Sequence, residues 1–186
     1  NIDYDSVGVR YKGNSTFCLP NDASNQKVPY NIDINYFVGG QKVMGYKKMK
    51  LANAWMDPTF MKQVISAKIY QEYLPTGESN LVKLFSQGNY VGMYVNDESI
   101  NKQFLDKHFD EKNGPLFKCD NIDRFCDTSG APSAMPPNLN FLGDDSTLYY
   151  NSYDMKSDHG WTELVDLIRT IVYEFQNIDS VLNVDR

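Results

Sequence analysis

Apolar and polar residues alternate in the first part of the chain. In Val7-Gly8-Val9-Arg10-Tyr11-Lys12, the residues Val7, Val9 and Tyr11 share one side of an extended segment, and Gly8, Arg10 and Lys12 share the other. This period of two predicts a strand over 6–13. QKVPYNIDINYF predicts a second strand over 27–36, with PNDASNQ as the polar link. Gly39-Gly40 marks a turn, and KVMGYKKMKLAN follows as a third extended segment.

The period then lengthens. DPTFMKQVISAKIYQEYL predicts a helix over 57–74, with Asp57 as its cap, Pro58 at the favoured first position and Phe60, Met61, Val64, Ile65, Ile69 and Leu74 as one apolar stripe. Pro75 and Gly77 end it. SNLVKLFS and YVGMYVNDE flank QGN, a strong hairpin signal. SINKQFLDKHF predicts a short helix, GPLFKCD a strand, and the stretch from Asp127 to Ser146 a long surface loop. Leu164, Leu167, Ile168, Ile171, Val172 and Phe175 fall at helical spacing after Trp161, and a further short helix is expected from Ile178. The order of elements predicts an α+β fold with a mainly antiparallel sheet and packed helices.

Composition narrows the partners. With 186 residues and 41 % hydrophobic content, the chain is long enough for one core or for two lobes sharing an interface. A net charge of −6 argues against a nucleic-acid partner, and no apolar run is long enough to span a membrane. The chain opens on Asn-Ile-Asp without methionine or signal segment and stops just after an apolar helical pattern, so it is expected to be a piece of a longer protein. Cys18, Cys119 and Cys126 leave several states open: a Cys119–Cys126 loop with Cys18 free or paired elsewhere, or three buried thiols. Two histidines and no CxxC make a zinc site a poor reading.

The candidate chemistry lies where the first strand ends in Gly13-Asn14-Ser15-Thr16. Successive N–H groups beside a glycine form an anion nest, and Arg10, Lys12 and Lys27 supply cations nearby in sequence. An ordinary turn satisfied by its own side chains is the other open reading. Asn14-Ser15-Thr16 is also a formal N-glycosylation acceptor.

Five phrases in order, VGVRYKGNST, KVPYNIDIN, MKLANAWMDPTFMKQVISAKIY, GNYVGMYVNDESINKQFLDKHF and GPLFKCD, resemble the spore coat protein H (CotH) family over about residues 6–120 and more loosely to the end. The resemblance implies an atypical, two-lobed kinase-like fold. Residues 1–120 would form the N-lobe, 121–150 a long surface loop and 151–186 the start of a helical C-lobe. It further implies ATP with Mg or Mn as cofactors, and a secreted or surface-located protein that phosphorylates Ser/Thr on coat or extracellular proteins. The alternative is a non-catalytic module for assembly or adhesion, as in a cellulose-degrading complex or at a cell surface. Either way a protein is the expected partner, as substrate or in assembly.

On this resemblance Lys27 is the first choice for the phosphate-orienting cation, with Lys12 and Arg10 behind it. Gly13, Asn14 and Ser15 form the cradle, and Glu98 either caps the helix near Asn101 or lines the cleft. Two positions depart from the family pattern. Lys62 and Gln63 stand where arginine and glutamate or asparagine are common, which removes an ion-pair partner for the strand lysine. Nothing in the chain matches the family's catalytic and metal-binding aspartates, so no catalytic or metal residue is assigned, and the piece is not expected to transfer phosphate alone.

Overall fold

The computed structural model describes residues 2–23, 25, 27–119 and 137–182. The chain divides into two compact units, Asn1–Ile100 and Asn101–Arg186.

The first unit is built on a five-stranded antiparallel sheet. Its strands are β1 (Gly8–Tyr11), β2 (Tyr30–Asp33), β3 (Lys48–Ala52), β4 (Ser79–Ser86) and β5 (Asn89–Asp97), in the spatial order β1-β2-β3-β5-β4. The expected strands and hairpin are present, and the α+β class with an antiparallel sheet holds. Register sorts the side chains cleanly. One row runs Arg10–Asn31–Lys50–Asp97–Ser79 across all five strands, and the adjacent row on the other face runs Tyr11–Tyr30–Leu51–Asn96–Asn80. The second face is the more apolar. Leu51 and Tyr94 are fully buried there, and the Tyr11, Tyr30 and Tyr94 rings pack in sequence.

Two local expectations change. Ser15–Asp22 forms a helix, α1, where a glycine turn and polar link were expected. Gly13, at φ +81°, turns the chain from β1 into it, and a Cβ there would collide with Thr16 Oγ1. Pro20 and Asn21-Asp22 masked this helix in the sequence, since proline is a poor helix residue beyond the first turn. The second change is at Asp57. The helix α2 spans Lys62–Tyr70 rather than beginning at Asp57, because Met56 and Phe60 adopt left-handed conformations. Asp57 forms a separate turn: its carboxylate accepts from the Thr59 N–H (3.0 Å), the Thr59 hydroxyl (2.6 Å) and the Lys62 N–H (3.0 Å). These bonds hold its pKa below the usual carboxylate value.

The second unit contains α3 (Lys102–Phe109), β6 (Phe117–Cys119), a 3-10 turn at Ser146–Tyr149, β7 (Tyr153–Met155), α4 (Trp161–Tyr173) and a 3-10 segment at Phe175–Ser180. Asn101 caps α3 by accepting from Gln103 N–H and Phe104 N–H. β6 pairs antiparallel with β7. Tyr149, Tyr153, Leu164, Val165 and Ile168 make the core, flanked by Phe117, Leu139, Phe141 and Trp161. The end of the expected loop, from 137 onward, is pinned to this core. Leu139 N–H donates to Tyr153 Oη and Leu142 N–H to Tyr149 Oη, each at 2.9 Å. The rest of that loop lies outside the described residues, as does Cys126. Cys119 is an exposed free thiol and Cys18 is disulfide-bonded, so a Cys119–Cys126 loop is not what forms.

Asn53, at the end of β3, ties the first unit together. Its Nδ2 donates to the Thr16 carbonyl (2.9 Å) and the Lys27 carbonyl (3.0 Å) while buried at 3 % exposure. Replacing it with alanine strands two acceptors, so Asn53→Ala is expected to cost about 3 kcal/mol in urea unfolding.

Candidate functional site

Lys27 leads into β2 and lies over the apolar face of the sheet. Its stem runs along Gly92, where a Cβ would sit 3.1 Å from Lys27 Cε, so a side chain at that position would push the lysine away. Its ammonium donates to the Asn53 carbonyl at 2.9 Å and sits 4.1 Å above the Phe60 ring and 5.5 Å from the Tyr94 ring. Rings and a carbonyl stabilise a cation without neutralising it. Among the described residues no carboxylate forms an ion pair with Lys27, and burial lowers its pKa.

The lysine opens onto a cavity of about 430 Å³ lined by Asn25, Asn53, Trp55, Asp57 and Phe60 among others. The loop that forms its wall carries three non-glycine residues at positive φ: Ala54 (50°), Met56 (62°) and Phe60 (58°). Such conformations cost about 1 kcal/mol each and persist only where surrounding contacts fix them. Phe60 reaches the ammonium because of its turn, which the bonds around Asp57 close. Trp55 adds a buried indole N–H without a hydrogen-bond partner.

Asn53 also brings α1 to this place, since it bonds the carbonyls of both Thr16 and Lys27. At the start of α1 the Asn14 carbonyl accepts from Phe17 and Cys18 N–H, each at 2.9 Å, while Ser15 and Thr16 are exposed on the first turn. Gly13, Asn14 and Ser15 therefore form a strand-to-helix corner linked to Lys27 through one asparagine.

Arg10 and Lys12 belong elsewhere. Both project from the opposite face of the sheet, Arg10 exposed and Lys12 largely covered. Lys12 shares its surroundings with Lys50 and Asp97. Asp97 accepts from Gln63 Nε2 of α2 at 2.6 Å and from the Ser79 hydroxyl at 3.0 Å. Burial lowers the Lys12 pKa and raises that of Asp97, each against the pull of the opposite charge. The cations grouped from the sequence thus split between two faces. Side-chain alternation already placed Arg10 and Lys12 together; nothing in the sequence placed Lys27 opposite them.

Glu98 follows β5 and accepts from the Glu78 N–H at 3.0 Å, extending the β4–β5 ladder. The cap of α3 is Asn101, not Glu98. Asn53, Trp55 and Tyr94 were not singled out by sequence, and Phe60 only as part of an apolar helical stripe. Of these, Asn53 had a signal, an amide directly after the alternating strand KMKLA.

The profile of the family described as CotH kinase protein matches residues 9–186. The chain belongs to that family. No curated protein matches it. In this CotH-family chain, the phrases GNST, LANAWMDPT and the strand opening at Lys27, separated by up to about forty residues in sequence, converge on one asparagine and one lysine.

The raised Asp97 pKa has a consequence for stability. The folded chain holds that proton more tightly than the unfolded one, so this contribution is complete below 3.8 and is lost as pH rises through the raised value. Urea unfolding between pH 3 and 7 is expected to show wild type losing stability relative to Asp97→Asn across that window and running parallel to it above.

Proposed function

We propose that this chain supplies the nucleotide-holding part of an ATP- and divalent-metal-dependent Ser/Thr kinase with the kinase-like fold, secreted or at the cell or spore surface and acting on a coat or extracellular protein. The observation that carries the reading is the partly buried Lys27 ammonium, at the edge of a cavity and with no ion-pair partner among the described residues, Asp57 on the same wall being bonded instead to Thr59 and Lys62. A cation so placed favours an anionic ligand, and phosphate oxygens match both its charge and the donors beside it. The exposed first turn of α1, adjoining through Asn53, presents further N–H groups of the kind that hold phosphate.

ATP would bring the transferable phosphoryl group. The residues of this chain bind and orient it: Lys27 by charge, Ser15 and its neighbours by backbone donors, and Phe60 and Tyr94 by keeping water from one side of the ammonium. Mg or Mn is the expected metal. Among the described residues no group of three His, Cys, Asp or Glu side chains is placed to hold an ion, so no ligand role for a metal is assigned to them. Phosphoryl transfer by this stretch alone is not proposed.

One contact favours the alternative, a non-catalytic module for assembly or adhesion. Gln63 of α2 is committed to Asp97, so this residue brings no acid to Lys27.

Titration of the chain with ATP, with and without Mg or Mn, followed by calorimetry decides between them. Saturable binding that Lys27→Met weakens at least tenfold supports the nucleotide reading, and Lys12→Met is expected to change affinity less than threefold. Absence of binding, or equal binding by Lys27→Met, overturns it and leaves the assembly module.

A further inference from the structure

Two rings line the Lys27 cavity, and the chain engages one of them. Phe60 takes the Lys27 ammonium over its face at 4.1 Å. Trp55 makes no hydrogen bond and no ring contact among the described residues. Its indole N–H is buried without an acceptor, although a buried indole ordinarily finds one. The backbone on both sides of it is irregular as well. Ala54 and Met56 stand at φ 50° and 62°, a region uncommon for residues other than glycine. Such conformations persist where surrounding contacts fix them, and they cluster at ligand sites. Two left-handed residues and an unsatisfied donor thus hold one indole at the cavity wall, with no partner for it inside the first unit.

The cavity limits what that partner can be. At about 430 Å³ it is far larger than a phosphate group, and Lys27 is its cation. Its other polar side chains serve the chain: Asn53 holds the Thr16 and Lys27 carbonyls, and Asn25 Oδ1 accepts from the Lys27 N–H at 2.9 Å. Both oxygens of Asp57 accept from Thr59 or Lys62, and these bonds keep that carboxylate charged. An anion filling the cavity throughout would meet Asp57, two residues from Trp55. The ligand that suits this lining is anionic at one end, toward Lys27, and flat and apolar at the other.

We infer that Trp55 is the base-binding residue of this site: a nucleobase stacks on the indole while its phosphates reach Lys27, and the indole N–H donates to an acceptor on the same ligand. This rests on the nucleotide reading of Lys27 and adds the residue that tells a nucleotide from a bare polyphosphate.

Calorimetry with ATP and with inorganic tripolyphosphate, in the same Mg buffer, tests it on wild type, Lys27→Met and Trp55→Ala, with circular dichroism to confirm that each is folded. Stacking a base on an aromatic ring is worth about fivefold or more in affinity. Trp55→Ala is therefore expected to lower the ratio of ATP to tripolyphosphate affinity at least fivefold, and Lys27→Met to weaken both ligands. A ratio that falls less than fivefold overturns the inference and leaves Lys27 as a phosphate site. If wild type binds neither ligand, the nucleotide reading and this inference fall together. Fluorescence gives a readout that does not depend on the alanine variant. Trp55 and Trp161 are the chain's two tryptophans. ATP is expected to quench wild-type emission and tripolyphosphate to leave it unchanged, with the quenching lost in Trp55→Phe, where Trp161 alone emits. No quenching at saturating ATP, or quenching that persists in Trp55→Phe, equally overturns the inference.

Discussion

One buried amide organises the first unit. Asn53 ends β3, and its two N–H groups reach carbonyls on α1 and at the entrance to β2, while its own carbonyl takes the Lys27 ammonium. A buried amide is costly unless satisfied, and here its two donors join α1 to the entrance of β2 while the Asn53 backbone carbonyl holds the Lys27 side chain. The positions of α1, β2 and the Lys27 side chain are thereby coupled. The wall of the cavity begins at the next residue, with Ala54 in a left-handed turn.

That arrangement leaves a cation with no ion-pair partner among the described residues. On the polar face Lys12 and Lys50 lie beside Asp97, so burial and pairing oppose each other. On the apolar face Lys27 meets two aromatic rings and a carbonyl, which stabilise an ammonium less than a carboxylate does. The two faces of one sheet thus treat their lysines differently. Lys12 lies in a cluster with Lys50 and Asp97, and Lys27 has no ion-pair partner among the described residues.

Much of the fold was legible in the sequence, because alternation and turn chemistry act locally. The β4–β5 hairpin follows from β-formers around Gln87-Gly88-Asn89, and α4 from an apolar period of helical length. α1 was not legible because its composition is that of a loop; its position is held by Asn53, more than thirty residues away. The start of α2 misled for a related reason. Asp57-Pro58 is a sound helix opening, yet the carboxylate bonds close a turn that sends Phe60 to Lys27 instead. Of the apolar stripe predicted there, Val64 is buried whereas Met61, Ile65, Ile69 and Leu74 are exposed, and periodicity cannot say which way a helix faces. At the site, family resemblance grouped Lys27 with Arg10 and Lys12, and the sheet places Lys27 on the opposite face from the other two.

The proposal for Lys27 rests on a partly buried ammonium whose pKa is lowered by burial and which would be stabilised by an anion. Nitrogen-15 lysine NMR can follow the Lys27 Nζ resonance through a pH titration, assigned by comparison with Lys27→Arg. The account predicts a pKa below 10.5 in the free chain and a rise when ATP is added. A Lys27 that titrates at the ordinary lysine value, or whose titration is unchanged by saturating ATP, would contradict it.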